Sequence, residues 1–129
     1  MQITRQADYA LRAVMYLAQI GDAKRAATNQ IAKQQGIPPS FLAKIISQLS
    51  LAGLIQTSRG ARGGVSLAKQ PEEITILEVI EAIDGPIILS DCTIHKCGFG
   101  ERCPLQRVMC KARNELVEIL GSATFAVKA

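Results

Sequence analysis

The sequence is poor in aromatic side chains, in histidine and in long apolar runs. Its 129 residues include no Trp, two Tyr, three Phe and one His. So few aromatic rings argue against stacking on the bases of single-stranded nucleic acid. One His without a placed catalytic partner gives no base and nucleophile pair, so we do not expect an enzyme. No run of about 18 apolar residues occurs, so we expect no membrane-spanning helix and no membrane partner.

The N-terminal segment lacks the features of a secretory signal. It reads MQITRQADYALRAVMYLAQIGDAKR, without a basic start or a cleavage site of small residues. We therefore expect a cytoplasmic protein. In a reducing compartment, cysteines are more often ligands or redox sensors than members of structural disulfides.

Charge is distributed unevenly along the chain. Residues 1–70 carry nine Lys or Arg against two Asp, a net charge of +7, whereas residues 71–129 carry six against nine acidic residues, a net charge of −3. A basic segment of this kind is typical of proteins that bind a polyanion. With aromatic residues scarce, the grooves of a DNA duplex are the favoured partner.

Residues 28–49, TNQIAKQQGIPPSFLAKIISQL, have the pattern of a helix-turn-helix. Thr28 is a good N-cap, Gly36 suits the turn, and Pro39 suits the first position of the second helix. An ordinary helical hairpin shares part of this pattern, and Phe41 is as compatible with a core as with a groove. If the second helix enters the major groove by its N-terminal end, the candidate DNA contacts are Thr28, Ser40, Phe41 and Lys44.

Residues 54–69, LIQTSRGARGGVSLAK, predict a β-hairpin with a tip rich in Arg and Gly. One interpretation is that Arg59 and Arg62 are ordinary surface charges exposed to solvent. Beside a helix-turn-helix, however, such guanidinium groups favour contact with phosphates or the minor groove. The hairpin predicts a winged helix.

Two further helices flank this unit. Thr4 can cap the first, and Asp8 in its early turns is explained by the helix dipole and by pairing with Arg12. Thr75 and Glu78 form a capping-box pattern for a short helix in the segment ITILEVIEAID, residues 74–84, that Gly85-Pro86 ends.

The last predicted helix begins at Pro104 and carries an apolar seam at every third or fourth residue. A helix of about 20 residues at the end of a small domain needs a cover for its seam, and a second copy is the simplest one. The predicted fold is therefore mainly α with a small β-hairpin. It comprises a winged helix-turn-helix domain over residues 1–85, a cysteine-rich loop over 86–103, and a dimerisation helix with its tail over 104–129.

Three of the four cysteines fall within twelve residues, CTIHKCGFGERC, at Cys92, Cys97 and Cys103, and Cys110 follows. The intervening gaps of four, five and six residues are wider than the usual zinc knuckle. Iron–sulfur clusters accept cysteines spread along a flexible loop, and Cys103-Pro104 matches the end of some ferredoxin motifs. A zinc site, a disulfide and free thiols remain open at this point.

Taken together, these motifs resemble those of the Rrf-two family of bacterial winged-helix regulators, which includes iron–sulfur sensors of the NsrR, IscR and RirA types. The resemblance rests on MQITRQADYALRAVMYLA, IPPSFLAKIISQL, SRGARGGVSL, ITILEVIEAIDG and the three-cysteine loop. It covers almost the whole chain. The homodimer expected from the last helix would have two-fold symmetry, so we expect it to bind a palindromic operator in duplex DNA.

The resemblance also implies a ligand set for an iron–sulfur cluster. Cys92, Cys97 and Cys103 match the family's three thiolates. Gln106 stands where the IscR type has its histidine ligand, whereas Asp8 matches the aspartate that the NsrR type takes from its other subunit. A 4Fe–4S cluster is therefore favoured over a 2Fe–2S cluster. His95 and Cys110 are rival fourth ligands that the family pattern does not predict.

The family's DNA contacts carry over to Ser40, Phe41, Lys44, Arg59 and Arg62. The IscR type has an acidic residue in that helix, and this chain departs from it with Ala43. We therefore do not expect this chain to share the base preference of the IscR type. The expected function is a cluster-dependent transcription regulator that senses nitric oxide, redox state or iron supply. The alternatives are a cluster-free thiol-based regulator and, further off, a small electron-transfer protein, which would leave the basic half of the chain unexplained.

Overall fold

The computed structural model describes residues 2–21, 25–60, 63–90 and 103–126. Within these ranges the chain is mainly helical, with one antiparallel pair of strands. The predicted fold class is confirmed. The elements in chain order are α1 (Arg5–Ile20), α2 (Thr28–Gln35), α3 (Pro39–Leu51), β1 (Ile55–Ser58), β2 (Gly64–Leu67), a short 3-10 helix (Pro71–Glu73), α4 (Ile76–Asp84) and α5 (Pro104–Ser122).

Helix α1 is the element around which the winged domain packs. Its N-cap is Thr4, whose hydroxyl accepts a hydrogen bond from the Ala7 backbone N–H at 3.1 Å, as predicted. Helices α2, α3 and α4 and strand β2 all lie against it. Apolar residues spaced three and four apart form its buried side. These are Ala7, Ala10, Ala13, Val14, Leu17 and Ala18.

The helix-turn-helix forms over the predicted residues. Gly36 ends α2 with φ of 64°, a left-handed conformation that glycine adopts at little cost, and its N–H bonds to the Ala32 carbonyl. Pro39 is the first residue of α3. The apolar residues that pack the two helices together are all buried, namely Ile31, Ala32, Ile37, Leu42 and Ile45.

The hairpin pairs Ile55 with Leu67 at its base and Ser58 with Gly64 near its tip. A second contact ties it to the segment before α2. The backbones of Ala26 and Val65 exchange two hydrogen bonds, of 2.9 and 2.8 Å. The wing is therefore held on both edges of β2, which the sequence pattern did not predict.

Helix α4 begins with the predicted capping box. The Thr75 hydroxyl accepts from the Glu78 N–H at 3.1 Å, and the Glu78 carboxylate accepts from the Thr75 N–H at 3.2 Å. Burial alone would raise the pKa of Glu78, but the Thr75 backbone bond and the Lys69 ammonium, 3.2 Å away, together hold that pKa below its usual value of 4.5. Gly85 ends the helix.

Helix α5 differs from the others because none of its residues is buried. It rests against α4. After it, the chain turns back to the domain, where Thr124 forms a β-bridge with Thr75 and Phe125 is buried, 2% exposed. Phe125 thus joins the core of the winged domain, although it lies in the segment predicted as a dimerisation helix and tail.

Within the described ranges, no helix is long and apolar enough to cross a membrane.

Candidate DNA interface and cysteine site

The N-terminal part of α3 has one face in the core and one in solvent. Leu42 and Ile45 are fully buried, which fixes the rotation of the helix about its axis. That rotation leaves Ser40, Phe41 and Lys44 exposed. The three residues predicted to contact DNA in this helix therefore share its open side, at the end that enters a major groove in helix-turn-helix proteins.

Phe41 packs against its own chain and is also partly exposed, and its contact with DNA remains a prediction. The residue is 39% exposed, yet its ring lies 6.2 Å from the ring of Tyr9 in α1, at an interplanar angle of 46°. This is the distance range of tilted aromatic pairs. The ring is supported from one side and accessible from the other.

Thr28 does not hold the cap position predicted for it. The N-cap of α2 is Ala27, which has no side-chain capping bond, and Thr28 is the first helical residue. The prediction is wrong by one residue, because a Ser or Thr at the first helical position and one at the N-cap look alike in sequence. Thr28 is half-buried, and its contact with DNA remains a prediction.

The wing presents Arg59 at its exposed tip. The turn is closed by a hydrogen bond from the Gly63 N–H to the Gly60 carbonyl at 2.9 Å. A Cβ at position 63 would lie 2.3 Å from the Ser58 carbonyl oxygen, so this position requires glycine. Arg62, the other predicted contact of the tip, lies outside the described residues.

Asp8, the candidate metal ligand of α1, has a partner in this structure. Its carboxylate lies 2.9 Å from the Arg12 guanidinium one helical turn later, and the two side chains are 44% and 51% exposed. This is the interaction expected from sequence on structural grounds alone. The carboxylate remains open to solvent on its other side, next to a shallow surface depression formed by the residues that lead into α1.

The cysteine site is described in part. Cys92 and Cys97, with the rival ligand His95, lie outside the described residues. Among the residues that are described, no group of three or more His, Cys, Asp or Glu side chains is arranged to hold a metal ion. Cys103 occupies the N-cap of α5, where the positive end of a helix dipole favours a bound anion.

Cys103 and Cys110 are both free and half-buried. Cys110 follows Cys103 by seven residues along α5, and at 1.5 Å per residue their Cα atoms are about 10 Å apart. A disulfide needs Cα atoms less than about 7 Å apart. These two thiols therefore do not form a disulfide with each other while α5 is intact.

Two long-range contacts hold the segment that leads from α4 toward the cysteines. Asp84, the last residue of α4, accepts hydrogen bonds from the hydroxyl and the backbone N–H of Thr4, the second at 3.2 Å. Arg113 of α5 donates from Nε to the Ile87 carbonyl at 2.8 Å. Sequence analysis missed both, because the partners are 80 and 26 residues apart and follow no local pattern.

The sequence matches the Rrf2 family, described as an iron-dependent transcriptional regulator, over residues 3–127. Among solved structures, CymR (YrzC), the global cysteine regulator of B. subtilis, is similar at 26% identity with a TM-score of 0.82, covering 97% of this chain and 93% of CymR. IscR from T. potens is similar at 26% identity and a TM-score of 0.79, covering 98% of this chain and 84% of IscR.

A transcriptional regulator from Listeria innocua is similar at 28% identity with a TM-score of 0.82, covering 98% of this chain and 84% of the other. The chain belongs to the Rrf2 family of DNA-binding transcription regulators. The family resemblance drawn from the sequence motifs is confirmed.

Proposed function

We propose that this Rrf2-family regulator acts as a homodimer that binds a palindromic DNA operator and responds to an iron–sulfur cluster. The observation that carries the DNA-binding part is the shared exposure of Ser40, Phe41 and Lys44 on a helix whose opposite face is fixed in the core. The α3 N-terminus would enter the major groove. Arg59 at the wing tip would reach a phosphate or the minor groove beside it.

The homodimer follows from the uncovered face of α5. Three large apolar side chains on this helix, Leu105, Val108 and Ile119, are 63%, 62% and 66% exposed. Isolated exposed apolar residues are common, but a repeated row on one long helix is typical of an interface. A two-fold dimer would set two recognition helices against half-sites about 34 Å apart, which is why we expect a palindromic operator.

The donor set fits a cluster. Cys92, Cys97 and Cys103 place three thiolates within twelve residues of sequence, and Cys103 lies at the N-cap of α5. We propose that these three cysteines hold a 4Fe–4S cluster, with a 2Fe–2S cluster as the alternative. When bound, such a cluster supplies a centre that reacts with nitric oxide or oxidants and depends on the iron supply.

We propose Asp8 of the partner subunit as the fourth ligand. A carboxylate is a harder and more weakly held ligand for cluster iron than a thiolate, so it is the bond that a small competing ligand would replace first. The half-exposed carboxylate of Asp8 would have to leave Arg12, its partner in the single chain. His95 and Cys110 are the rival ligands.

Protein purified without oxygen tests the cluster. We expect a coloured protein with iron and sulfide in the ratio of one cluster per chain. Cys103→Ser should lose this iron completely, whereas Cys110→Ser on the same helix should retain it. Equal loss in both variants would show that the ligand set is wrong. Duplex DNA binding measured with and without the cluster then tests whether affinity depends on it.

Asp8→Ala tests the fourth ligand separately. We expect it to change the cluster's absorption spectrum or its rate of reaction with nitric oxide, because one iron would lose its carboxylate. The exposed position of Asp8 means that the fold should be unaffected, which circular dichroism checks. An unchanged spectrum and reaction rate would transfer the assignment to His95 or Cys110.

A cluster-free thiol regulator is the second candidate, favoured by the similarity to CymR, a global cysteine regulator. Because Cys103 and Cys110 are about 10 Å apart along α5, a thiol switch cannot be a disulfide between these two. A thiol switch would have to pair one of them with Cys92 or Cys97, or with a thiol of another molecule. Colourless protein whose DNA affinity changes on mild oxidation, and returns with a reductant, would support this alternative.

A further inference from the structure

Four side chains form a continuous series of contacts from the early turns of α1 to the start of α3. Asp8 lies 2.9 Å from the guanidinium of Arg12. The guanidinium carbon of Arg12 lies 6.0 Å from the centre of the Tyr9 ring, and that ring lies 6.2 Å from the ring of Phe41. We call this series the Asp8–Phe41 contact chain. It joins the candidate metal ligand to a candidate DNA contact.

Arg12 has two attractive partners in this contact chain. Its charge is paired with the Asp8 carboxylate, and it also lies at the distance of a cation–π contact with Tyr9. Both partners act on the same guanidinium, so the position of Arg12 depends on each of them. Removing the negative charge of Asp8 leaves Tyr9 as the neighbour that positions Arg12.

Tyr9 is suited to pass such a change to Phe41. Its ring is half-buried and packs against the core, which limits the orientations open to it. Phe41 lies next to it, with 6.2 Å between the ring centres, and is 39% exposed, so its ring is less confined than those of the buried core. A small displacement of the Tyr9 ring therefore changes the surface on which Phe41 rests.

The backbones around these side chains are firmly packed. Ala10 and Ala13 of α1 and Leu42 and Ile45 of α3 are buried in one core cluster. Close-packed interiors resist continuous deformation. The adjustable parts are the half-exposed side chains, so we expect the orientation of Phe41 to change while the helices stay in place.

We infer that Arg12 and Tyr9 are positioning residues that make the orientation of Phe41 depend on whether the Asp8 carboxylate is bound to iron. This inference rests on the proposed function for the identity of the metal. It adds two residues that neither bind the cluster nor read DNA. A metal that takes the carboxylate removes the counter-ion of Arg12, and the contact chain carries that loss to the recognition helix.

The test uses full-length protein without the cluster, so that it does not depend on iron. Asp8→Asn removes the carboxylate charge and keeps the size of the side chain. The chain has three Phe, at positions 41, 99 and 125. Fluorophenylalanine labelling therefore gives three fluorine resonances, which Phe→Leu variants assign. We expect Asp8→Asn to shift the Phe41 resonance and to leave that of the buried Phe125 unchanged.

Variants of the two positioning residues then test the route. In Tyr9→Leu, which removes the ring, Asp8→Asn should no longer shift the Phe41 resonance. In Tyr9→Phe, which keeps the ring, the shift should persist. Arg12→Gln should abolish it, because no guanidinium remains to respond. If Tyr9 and Arg12 only supported the fold, the shift caused by Asp8→Asn would not depend on which residue occupies these positions. Circular dichroism identifies any variant that fails to fold.

Duplex DNA binding gives the functional measurement. Coupling through side-chain networks typically changes an equilibrium by roughly 2- to 30-fold. We expect Asp8→Asn to change the affinity of cluster-free protein within that range in the wild-type and Tyr9→Phe backgrounds. In the Tyr9→Leu and Arg12→Gln backgrounds, the same substitution should change affinity less than twofold.

The outcomes separate this inference from the proposed function. If Asp8→Asn leaves the Phe41 resonance in place, or shifts it equally in Tyr9→Leu, the inference is wrong, whether or not the protein binds a cluster. If the contact chain responds as expected but the protein never binds iron, control by a metal at Asp8 is overturned. Cluster binding together with the full pattern of shifts supports both.

Discussion

Helices α3 and α5 carry similar apolar spacing and use it differently. In α3, Leu42, Ile45 and Leu49 are 0%, 0% and 1% exposed and lie in the core beneath α1. In α5, Leu105, Val108 and Ile119 are more than 60% exposed, although their spacing of 3 and 11 residues also places them on one side of the helix. Apolar periodicity therefore predicts a helix and its apolar side. It does not reveal whether the residues that pack against that apolar side belong to the same chain or to another one.

The halves that contain these helices also differ in charge. The basic half, residues 1–70, carries a net charge of +7 and contains two acidic residues, of which Asp8 is described and is paired with Arg12. The half that contains α5 carries a net charge of −3. The positive charge thus belongs to the first half, whereas the core is shared, because Val79 and Phe125 of the second half lie in the same buried cluster as α1 and α3. What sets α5 apart is that none of its residues is buried.

The largest expected effect is on the free energy of unfolding, and it should differ between two leucines of α3. Leu49 is 1% exposed and Leu51, two residues later, is 88% exposed. Leu49→Ala should lower the free energy of unfolding by about 2–5 kcal/mol, because it leaves a cavity in the core. Leu51→Ala should change it by less than about 0.5 kcal/mol. Urea unfolding followed by circular dichroism measures both. Equal effects would show that the rotation of α3 is misassigned.

The next effect tests the uncovered side of α5. Val108→Asp should weaken the proposed homodimer by at least about 2 kcal/mol, or roughly 30-fold in dissociation constant, since a charge would be buried at the interface. Lys111→Asp on the same helix places the same side chain outside the apolar row and should have little effect. Sedimentation measures the dissociation constant. An unchanged dimer in Val108→Asp would remove this face from the interface.

A smaller effect is expected at the wing of the basic half. Arg59→Ala should reduce the slope of log K against log salt by about 0.9, the value for one lost phosphate contact. If Arg59 reads the minor groove, sequence preference should also change, by about 1–3 kcal/mol. Lys69→Ala is the matched control, because this ammonium is paired with Glu78. An Arg59→Ala protein with the wild-type slope and preference would place the tip away from DNA.

The smallest effect concerns Glu78, where the basic half meets α4. Its pKa is lowered in the folded state, so its stabilisation is present above the usual value of 4.5 and is lost as pH falls through the folded pKa. Glu78→Gln should lower the free energy of unfolding at neutral pH by less than about 1 kcal/mol, since the pair is exposed. Glu81→Gln, outside the capping box, is the control. A deficit that persists at a pH low enough to protonate Glu78 would show that the effect is not one of charge.

Helices, turns and caps were predictable because their signals are local. Thr4 as a cap, Gly36 at the turn and the Thr75–Glu78 capping box all depend on residues within a few positions of one another. The error at Thr28 has the same origin: a local signal marks a helix start to within about one or two residues. Ser40 and Lys44 were chosen as candidate contacts from their place at the start of the second helix, and both are exposed.

The sequence by itself determined the helix-turn-helix, the wing and the family, because spacing along the chain is enough to define each local element and its apolar side. Only the tertiary structure decided which elements touch. It placed Phe125 in the core, Ala26 against β2, Asp84 on the cap of α1, and Tyr9 between Arg12 and Phe41. Such contacts join residues far apart in the chain. They arise from the packing of several faces at once, which no single stretch of sequence encodes.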